Sequence, residues 1–435
     1  MSQCFPEIVR IDDIKVHPNA EKLELAIIRG TQVVVGKGYL KPGEKVVYFP
    51  PDLLLPDKLA ADLNVTKYLK HSTFPGSLYK TQCRVGAVKL RGEGSYGFVV
   101  KLEEIGPFVG GLSSTDEGSD LTDTLGTIKY EPPRRTGGYG FASAPAAPAF
   151  PQFHEYTSIE HLWRYEKCFE EGETVVMTEK IHGTNARVGV LDVHGEFRYF
   201  AGSHHVNRKP APDGVACVYW EPLENMAILT LLNDLCNEQH NIIVFGEIYG
   251  HGIQDMDYGV EPGKRGFRVF DISINGKYVD FAFLRETCEI HGVEMVPVIY
   301  EGPFSLEIVK QNTSGPAVAG SHTGKFKGRE GVVVKPLFER FDEKLYGRLI
   351  LKSVCADYHS RKDAQDFGEI EAVEVPTGDI IPSVLPNTYG CSRNGGSEEV
   401  FRVIRQEGDA FTIPEALAKI TVAERANEAL NKHEC

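Results

Sequence analysis

The sequence contains no Cys-x-x-Cys pair and no other zinc-ligand spacing. Its nine cysteines are odd in number and scattered, which excludes a disulfide framework and suits the reducing interior of a cell. Cys236 and His240 stand four apart, a helical metal spacing, but two ligands are too few and a packed helix face is expected there. No apolar run reaches membrane length, so no spanning helix is predicted. The start, Met1-Ser2-Gln3-Cys4-Phe5-Pro6, lacks a charged n-region and a long h-region. An intracellular protein is therefore expected, with cytoplasm and nucleus both open. Positive charge is also scarce: 47 Lys and Arg against 61 Asp and Glu leave a net charge of −14. That excludes a surface that grips nucleic acid over its whole extent. It leaves room for local clusters, such as Lys67, Lys70, Lys80, Arg84, Lys89 and Arg91, then Lys264, Arg265 and Arg268, then Lys325, Lys327 and Arg329.

At 435 residues the chain exceeds what one core usually serves, and its patterning divides it. Residues 1–105 read as short strands between glycine turns, the mark of a small β-barrel. Residues 106–152, rich in Gly, Ser, Pro and Ala, read as a linker. Residues 153–360 mix strands with helices, among them Glu221 to Glu238 and Phe281 to His291, and predict an α+β domain. Residues 361–435 form a carboxy-terminal extension. It is expected to be partly helical, with a helix starting near Thr412-Ile413-Pro414-Glu415.

The chemistry centres on Glu179-Lys180-Ile181-His182-Gly183-Thr184-Asn185. An apolar run, Thr174 to Thr178, delivers a lysine into a tight turn, and a lysine stripped of its proton is a nucleophile. Four further words follow in order. Ser203-His204-His205-Val206-Asn207-Arg208-Lys209 offers phosphate donors. Glu247 ends the buried run Ile243-Val244-Phe245-Gly246. Arg329-Glu330-Gly331-Val332-Val333-Val334-Lys335 repeats that device, and Leu349-Ile350-Leu351-Lys352 ends on a lysine. A strand-end carboxylate usually caps a loop or pairs with a surface base, but two of them with three strand-end lysines point beyond that.

These words, in this order, resemble the covalent nucleotidyltransferases: DNA ligases, RNA ligases and mRNA capping enzymes. Lys-x-His-Gly-Thr-Asn, with His182 where aspartate is commonest, is similar to the RNA ligases of the nick-sealing and RNA-editing kind. Tyr156-Thr157-Ser158-Ile159-Glu160 resembles their adenine-closing segment. His17-Pro18-Asn19-Ala20-Glu21-Lys22-Leu23 and Val33-Val34-Val35-Gly36-Lys37-Gly38 resemble OB-fold domains of the tRNA-binding kind. An OB domain ahead of the catalytic domain resembles the RNA ligase family usually called the fifth.

The resemblance implies an ATP-dependent ligase joining RNA 3′-OH and 5′-phosphate ends, at breaks in duplexed RNA, through lysyl-AMP and an RNA-adenylate. Lys180 would carry AMP. Ile159, Glu160, Glu179 and Ile181 would frame adenine, and Phe270 would stack on it, with Phe267 as its rival. Asn185 and Arg208 would approach the AMP phosphate and ribose. Glu247 would contact the ribose or the shell of Mg²⁺ or Mn²⁺, which Glu330 would help bind, while Lys335 and Lys352 would hold phosphates. Repulsion from Lys335, Lys352 and the metal would favour the neutral Lys180 amine. RNA ends, or a nicked duplex, and ATP are the implied partners; no membrane and no protein partner are implied.

The sequence departs from the family pattern at one point. The last motif often has two lysines one residue apart, and Ile350 stands two before Lys352, so Arg348 or Lys335 would cover that charge or the alignment would shift toward Val354. Within the superfamily, a DNA ligase or a GTP-using capping enzyme is the second reading, although capping enzymes usually carry the OB domain after the catalytic one. A non-catalytic nucleic-acid-binding protein is the third reading. It would be expected to lack Lys180, Glu247 or Glu330, and all three are present.

Overall fold

The computed structural model describes residues 4–72, 82–108, 117–130, 147, 149–210, 217–236, 241–322, 324 and 326–359. Phe74, Tyr79, Lys80, His240, Lys325 and the extension 361–435 lie outside the described residues.

The amino-terminal strands are β1 (Glu7–Arg10), β2 (Asp13–Val16), β3 (Leu23–Ile28), β4 (Thr31–Gly36), β5 (Lys45–Phe49), β6 (Leu53–Leu55), β7 (Lys70–Ser72), β8 (Gln82–Arg84), β9 (Ala87–Leu90), β10 (Glu93–Tyr96), β11 (Phe98–Lys101) and β12 (Ile128–Lys129). They pair in four sheets, ordered β1-β5-β11, β2-β3-β4, β10-β9 and β12-β6-β8-β7. Side chains bridge two of these sheets. Val34 N–H donates to Ser95 Oγ at 3.0 Å, and Gln32 Nε2 donates to the Gly94 carbonyl at 2.8 Å. Two cores result, one around Ile8, Val47 and Phe49, the other around Val9, Ala26 and Val33. Neighbouring residues of β1 thus serve opposite cores, as a strand's alternation requires.

The expected linker is corrected in part. Leu121 and Leu125 are buried in the first of these cores, β12 pairs with β6, and Arg84 lies 3.6 Å from the Tyr130 ring centroid. Residues 117–130 therefore complete the first domain. Their small and polar composition hid two leucines spaced for one face of a short helix.

The second domain holds β13 (Glu160–His161), β14 (Thr174–Glu179), β15 (Thr184–Val193), β16 (Glu196–Ser203), β17 (Asn207–Arg208), β18 (Ile242–Gly250), β19 (Arg265–Ile274), β20 (Lys277–Tyr278), β21 (Val298–Pro303), β22 (Gly331–Pro336), β23 (Phe341–Asp342), β24 (Gly347–Arg348) and β25 (Leu351–Val354). One sheet runs β13-β25-β22-β14-β21, a second β17-β16-β15-β18-β19-β20. Val175, Val176 and Met177 are fully buried on β14, with Val176 in one core and its neighbours in another. Each such side chain contributes roughly 1.5–3 kcal/mol of burial, which fixes the strand that ends at Lys180.

The helix Phe281–His291 forms as expected and ends at Gly292, whose φ is 66°. The helix expected over Glu221 to Glu238 is broken. Pro222 sits in a separate turn, Glu221–Glu224, and Asn225 is extended with ψ 119°. The Asn225 side chain then caps a new helix, Met226–Cys236, by accepting from Ala227 N–H at 2.9 Å. An N-cap asparagine starts a helix better than it continues one.

The two domains meet at a polar seam. Glu7, on β1, accepts from Arg29 at 2.8 Å and from Arg164 at 2.9 Å. Gly30, at φ 76°, lies under Trp163, where a Cβ would come within 2.6 Å of the indole. Lys89 pairs with Asp357 at 2.9 Å.

Candidate active site

Backbone bonds on both sides pin the end of β14. Glu179 N–H donates to the Pro297 carbonyl at 2.8 Å, and Lys180 N–H donates to the Gly331 carbonyl at 3.0 Å. The Lys180 ammonium is 2.7 Å from Glu330 Oε1. Two glycines permit this approach. A Cβ on Gly331 would collide with the Ser353 carbonyl, and one on Gly183 would collide with the Ile248 carbonyl and come within 2.8 Å of Glu247 Cγ.

Glu247 comes from the other sheet, directly opposite Asn185 in the β15–β18 ladder. Its carboxyl is pushed up to about 8 by burial and by the charge of Glu330, against the pull of Lys180 and of a hydrogen bond from Gly183 N–H. Lys352 is pushed down to about 8 by burial and by Lys180. Glu160 opposes that shift from β13, where Glu160 and His161 pair with Leu351 and Lys352. Lys180, Glu247, Glu330 and Lys352 thus share one electrostatic neighbourhood.

Residues that the sequence motifs left without roles also gather here. His182 N–H donates to the Tyr258 hydroxyl at 2.7 Å. Its ring lies 3.0 Å from Asp255 at Nε2, and 2.9 Å from the Tyr358 hydroxyl at Nδ1. Glu330 Oε2 is 3.8 Å from that same Nδ1. Asp255, Tyr258 and Tyr358 lie in short loop and helix segments with no periodic signal.

A register shift in β19 builds the side of the site next to this cluster. Gly246 pairs with Val269 but Phe245 with Asp271, which leaves Phe270 as a bulged extra residue. A bulge puts two consecutive side chains on one face. Val269 and Ile272 face the core behind the sheet, whereas Phe270 and Asp271 meet Tyr156. The Phe270 and Tyr156 rings are 4.8 Å apart, and the Tyr156 hydroxyl donates to Asp271 at 2.7 Å. Phe267 packs behind the sheet, against the bare Cα of Gly246. The odd spacing of the two rival phenylalanines thus puts them on opposite faces, and the bulge adds Asp271 to the face of Phe270.

Ile181 is buried in a cluster that Phe270 adjoins, and Ile159 packs beside Phe270 and Tyr156. Glu179 Oε2 accepts from Val318 and Ala319 N–H at 2.8 and 2.7 Å. Burial pushes its carboxyl up despite those bonds. Arg208 is buried on β17, its guanidinium 5.3 Å from the Tyr219 ring; the Tyr219 hydroxyl is 3.2 Å from Thr184 Oγ1.

Lys335 is held elsewhere. Its ammonium is 3.0 Å from buried Asp271 and 3.3 Å from the Phe270 carbonyl. Arg348 takes the other Asp271 oxygen at 2.9 Å and also pairs with Glu339. Both cations offered as replacements at the last motif are therefore bound to buried carboxylates. Ile350 itself is buried beside Phe153 and Tyr156.

The residues present fit a hard divalent cation. Glu330 Oε2 and Asn185 Oδ1 are buried with no hydrogen-bond partner among the described residues, and the Glu247 carboxylate stands nearby. Glu179 Oε1 is likewise buried and unpartnered.

Residues 173–354 match the RNA ligase family model, and residues 6–102 match an OB-fold domain model. No curated protein matches the chain in sequence. Among solved structures, Naegleria gruberi RNA ligase with PPi is 21% identical. That match covers 82% of this chain and 98% of the other, at a TM-score of 0.63. A variant of that ligase with AMP and Mn is 21% identical, with coverages of 81% and 97% and a TM-score of 0.63. A further variant with ATP and Mn is 22% identical, with coverages of 82% and 98% and a TM-score of 0.62. At these identities the likeness establishes a shared fold. Together with that fold, the two family matches identify an RNA ligase domain, residues 173–354, that follows an amino-terminal OB-fold domain.

Proposed function

We propose that the protein joins RNA 3′-OH and 5′-phosphate ends through AMP carried on Lys180. The observation that carries this reading is the Lys180–Glu330 pair at 2.7 Å, set beside Glu247 on β18 and Lys352 on β25. Lys180 Nζ attacks the α-phosphorus of ATP. A P–N bond forms, the bond to the bridging oxygen breaks, pyrophosphate leaves, and the amine loses a proton. An oxygen of an RNA 5′-phosphate then attacks the AMP phosphorus, breaks the P–N bond and frees Lys180. A 3′-hydroxyl finally attacks the activated 5′-phosphate, forms the phosphodiester and releases AMP and a proton. Each transfer is easier than direct joining.

Glu330 favours the charged amine, and Lys352 opposes it by repulsion. Lys352 also faces the charge that develops on the transferring phosphate. Glu247 and Glu330 would hold Mg²⁺ or Mn²⁺, which when bound neutralises phosphate charge. The Naegleria relatives with ATP, AMP and Mn support this choice of ligands. Phe270 would stack on adenine between Ile159 and Ile181, with Glu160 at the rim. Asn185 and Arg208 would approach phosphate and ribose. Lys335 would act by fixing Asp271 and the Phe270 carbonyl. Glu179 Oε1, buried and unpartnered, is an acceptor for the 6-amino group of adenine. Guanine offers an oxygen at that position, so this contact favours ATP over GTP. RNA ends or a nicked duplex would be the substrate.

The test is covalent labelling with α-labelled ATP and Mg²⁺ or Mn²⁺, followed by sealing of nicks with ribose or deoxyribose 3′ ends. Label on the wild type and none on Lys180→Ala is the expected result, with ribose ends sealed faster. Label that persists on Lys180→Ala would sink the mechanism, and equal sealing of both ends would remove the case for RNA specificity.

A further inference from the structure

The turn between β16 and β17 carries two consecutive histidines that the ligase reading does not use. In a strand, neighbouring side chains point to opposite faces. Here Ser203 N–H donates to the Val206 carbonyl at 2.9 Å and closes a turn, and the His204 and His205 rings come within 4.1 Å of each other, edge to face. Glu155 approaches from a separate segment, its Oε2 2.9 Å from His205 Nδ1. One donor atom from each of the three lies within 4.8 Å of the others.

The surrounding structure fixes both segments. Arg187, 2% exposed, donates to the Ser203 carbonyl at 3.0 Å, to the Asn207 side chain at 2.9 Å and to the Phe153 carbonyl. It thus ties the residue before His204 to the residue two before Glu155. His154 lies 2.8 Å from Ser273 Oγ, and Tyr156 is anchored on Asp271, so Glu155 is held from both sides. Glu155 and His205 themselves remain 51% and 44% exposed, open to an ion from solvent.

We propose that Glu155, His204 and His205 form a binding site for a zinc-class transition-metal ion, separate from the Glu247 and Glu330 carboxylates. Two imidazoles and one carboxylate with an open fourth position are a zinc-type donor set, and nitrogen donors select against Mg²⁺. Tetrahedral ligands about 2.05 Å from Zn²⁺ stand roughly 3.3 Å apart. His205 and Glu155 therefore need to open by a few tenths of an ångström, while the His204 donor, within 4.8 Å, closes on them by up to about 1.5 Å through a change of side-chain rotamer. The bound ion would clamp the segment carrying Tyr156 and Ile159 to the β16–β17 turn.

The experiment uses tag-free, EDTA-treated full-length protein titrated with Co²⁺ alone. Visible absorption of four-coordinate Co²⁺ reports binding, and Zn²⁺ displaces it. One saturable four-coordinate Co²⁺ signal per chain is expected, with no thiolate charge-transfer band; Co²⁺ on the oxygen ligands of Glu247 and Glu330 absorbs far more weakly. Binding should be lost in Glu155→Gln and in His204→Ala/His205→Ala, and Zn²⁺ should raise the melting temperature of the wild type alone. Because Glu155 is exposed, Glu155→Gln decides the matter even if the double variant misfolds. Co²⁺ binding that is unchanged in Glu155→Gln, absent from the wild type, or marked by a thiolate band overturns the proposal.

Discussion

Replacing Asp271 by asparagine tests how the ion cluster behind the bulge supports the site. The carboxylate is fully buried and accepts from Lys335 at 3.0 Å, Arg348 at 2.9 Å and Tyr156 at 2.7 Å. Burial alone would raise its pKa; Arg348 and Lys335 outweigh burial and hold it below the ordinary carboxylate range. Asparagine keeps the shape and removes the charge. Arg348 retains Glu339, but Lys335, whose side chain is 3% exposed, is left buried with no carboxylate in salt-bridge contact among the described residues. Stranding one buried charge costs about 3–5 kcal/mol. For a domain of this size that lowers the melting temperature by roughly 6–20 °C. The depressed carboxyl stabilises the fold above its unfolded value and loses that effect as pH falls through its folded value. The variant should therefore also lose part of the wild type's acid sensitivity. Thermal and urea denaturation across acidic pH measure both effects. Replacing the pair together, Asp271→Leu with Lys335→Met, should recover most of the loss, because it strands no charge. An Asp271→Asn protein melting within about 2 °C of the wild type would refute the reasoning and return Lys335 to a direct phosphate role.

Gly183→Ala should cut lysyl-AMP formation by about 100-fold, because the added Cβ displaces the Ile248 carbonyl and Glu247; single-turnover labelling reads it. Phe270→Ala should weaken ATP binding by roughly 1–3 kcal/mol with little loss of stability. Phe267→Ala should do the reverse, as calorimetry and melting will distinguish. In metal-free enzyme, Glu247 holds a proton between its ordinary 4.5 and about 8 that the unfolded chain lacks. Stability should therefore fall as pH rises through that window, and Glu247→Gln should flatten the slope.

The sequence made Lys180, Glu247, Glu330 and Lys352 legible, because each ends or borders an apolar run that can only be a buried strand. Residues that act through long-range pairing were not legible. Lys335 reads as a phosphate ligand until Asp271, 64 positions earlier, is seen beside it. Phe267 and Phe270, three apart, fall on opposite faces of a strand, but only the fold shows which face is the site and that the bulge brings Asp271 onto it. Asn225 looks like one more helical residue, because capping depends on backbone angles that composition does not carry.

The seam at Glu7 should couple the unfolding of the two domains. Arg164 and Trp163 stand near the start of the ligase segment and Asp357 near its end, and all three face residues of the OB-fold domain. Removing the OB-fold domain would take Glu7 from Arg164 and uncover the face of the Trp163 indole that Gly30 covers. The intact protein should show one calorimetric transition, and the excised ligase domain a lower one with a tendency to self-associate through the uncovered tryptophan.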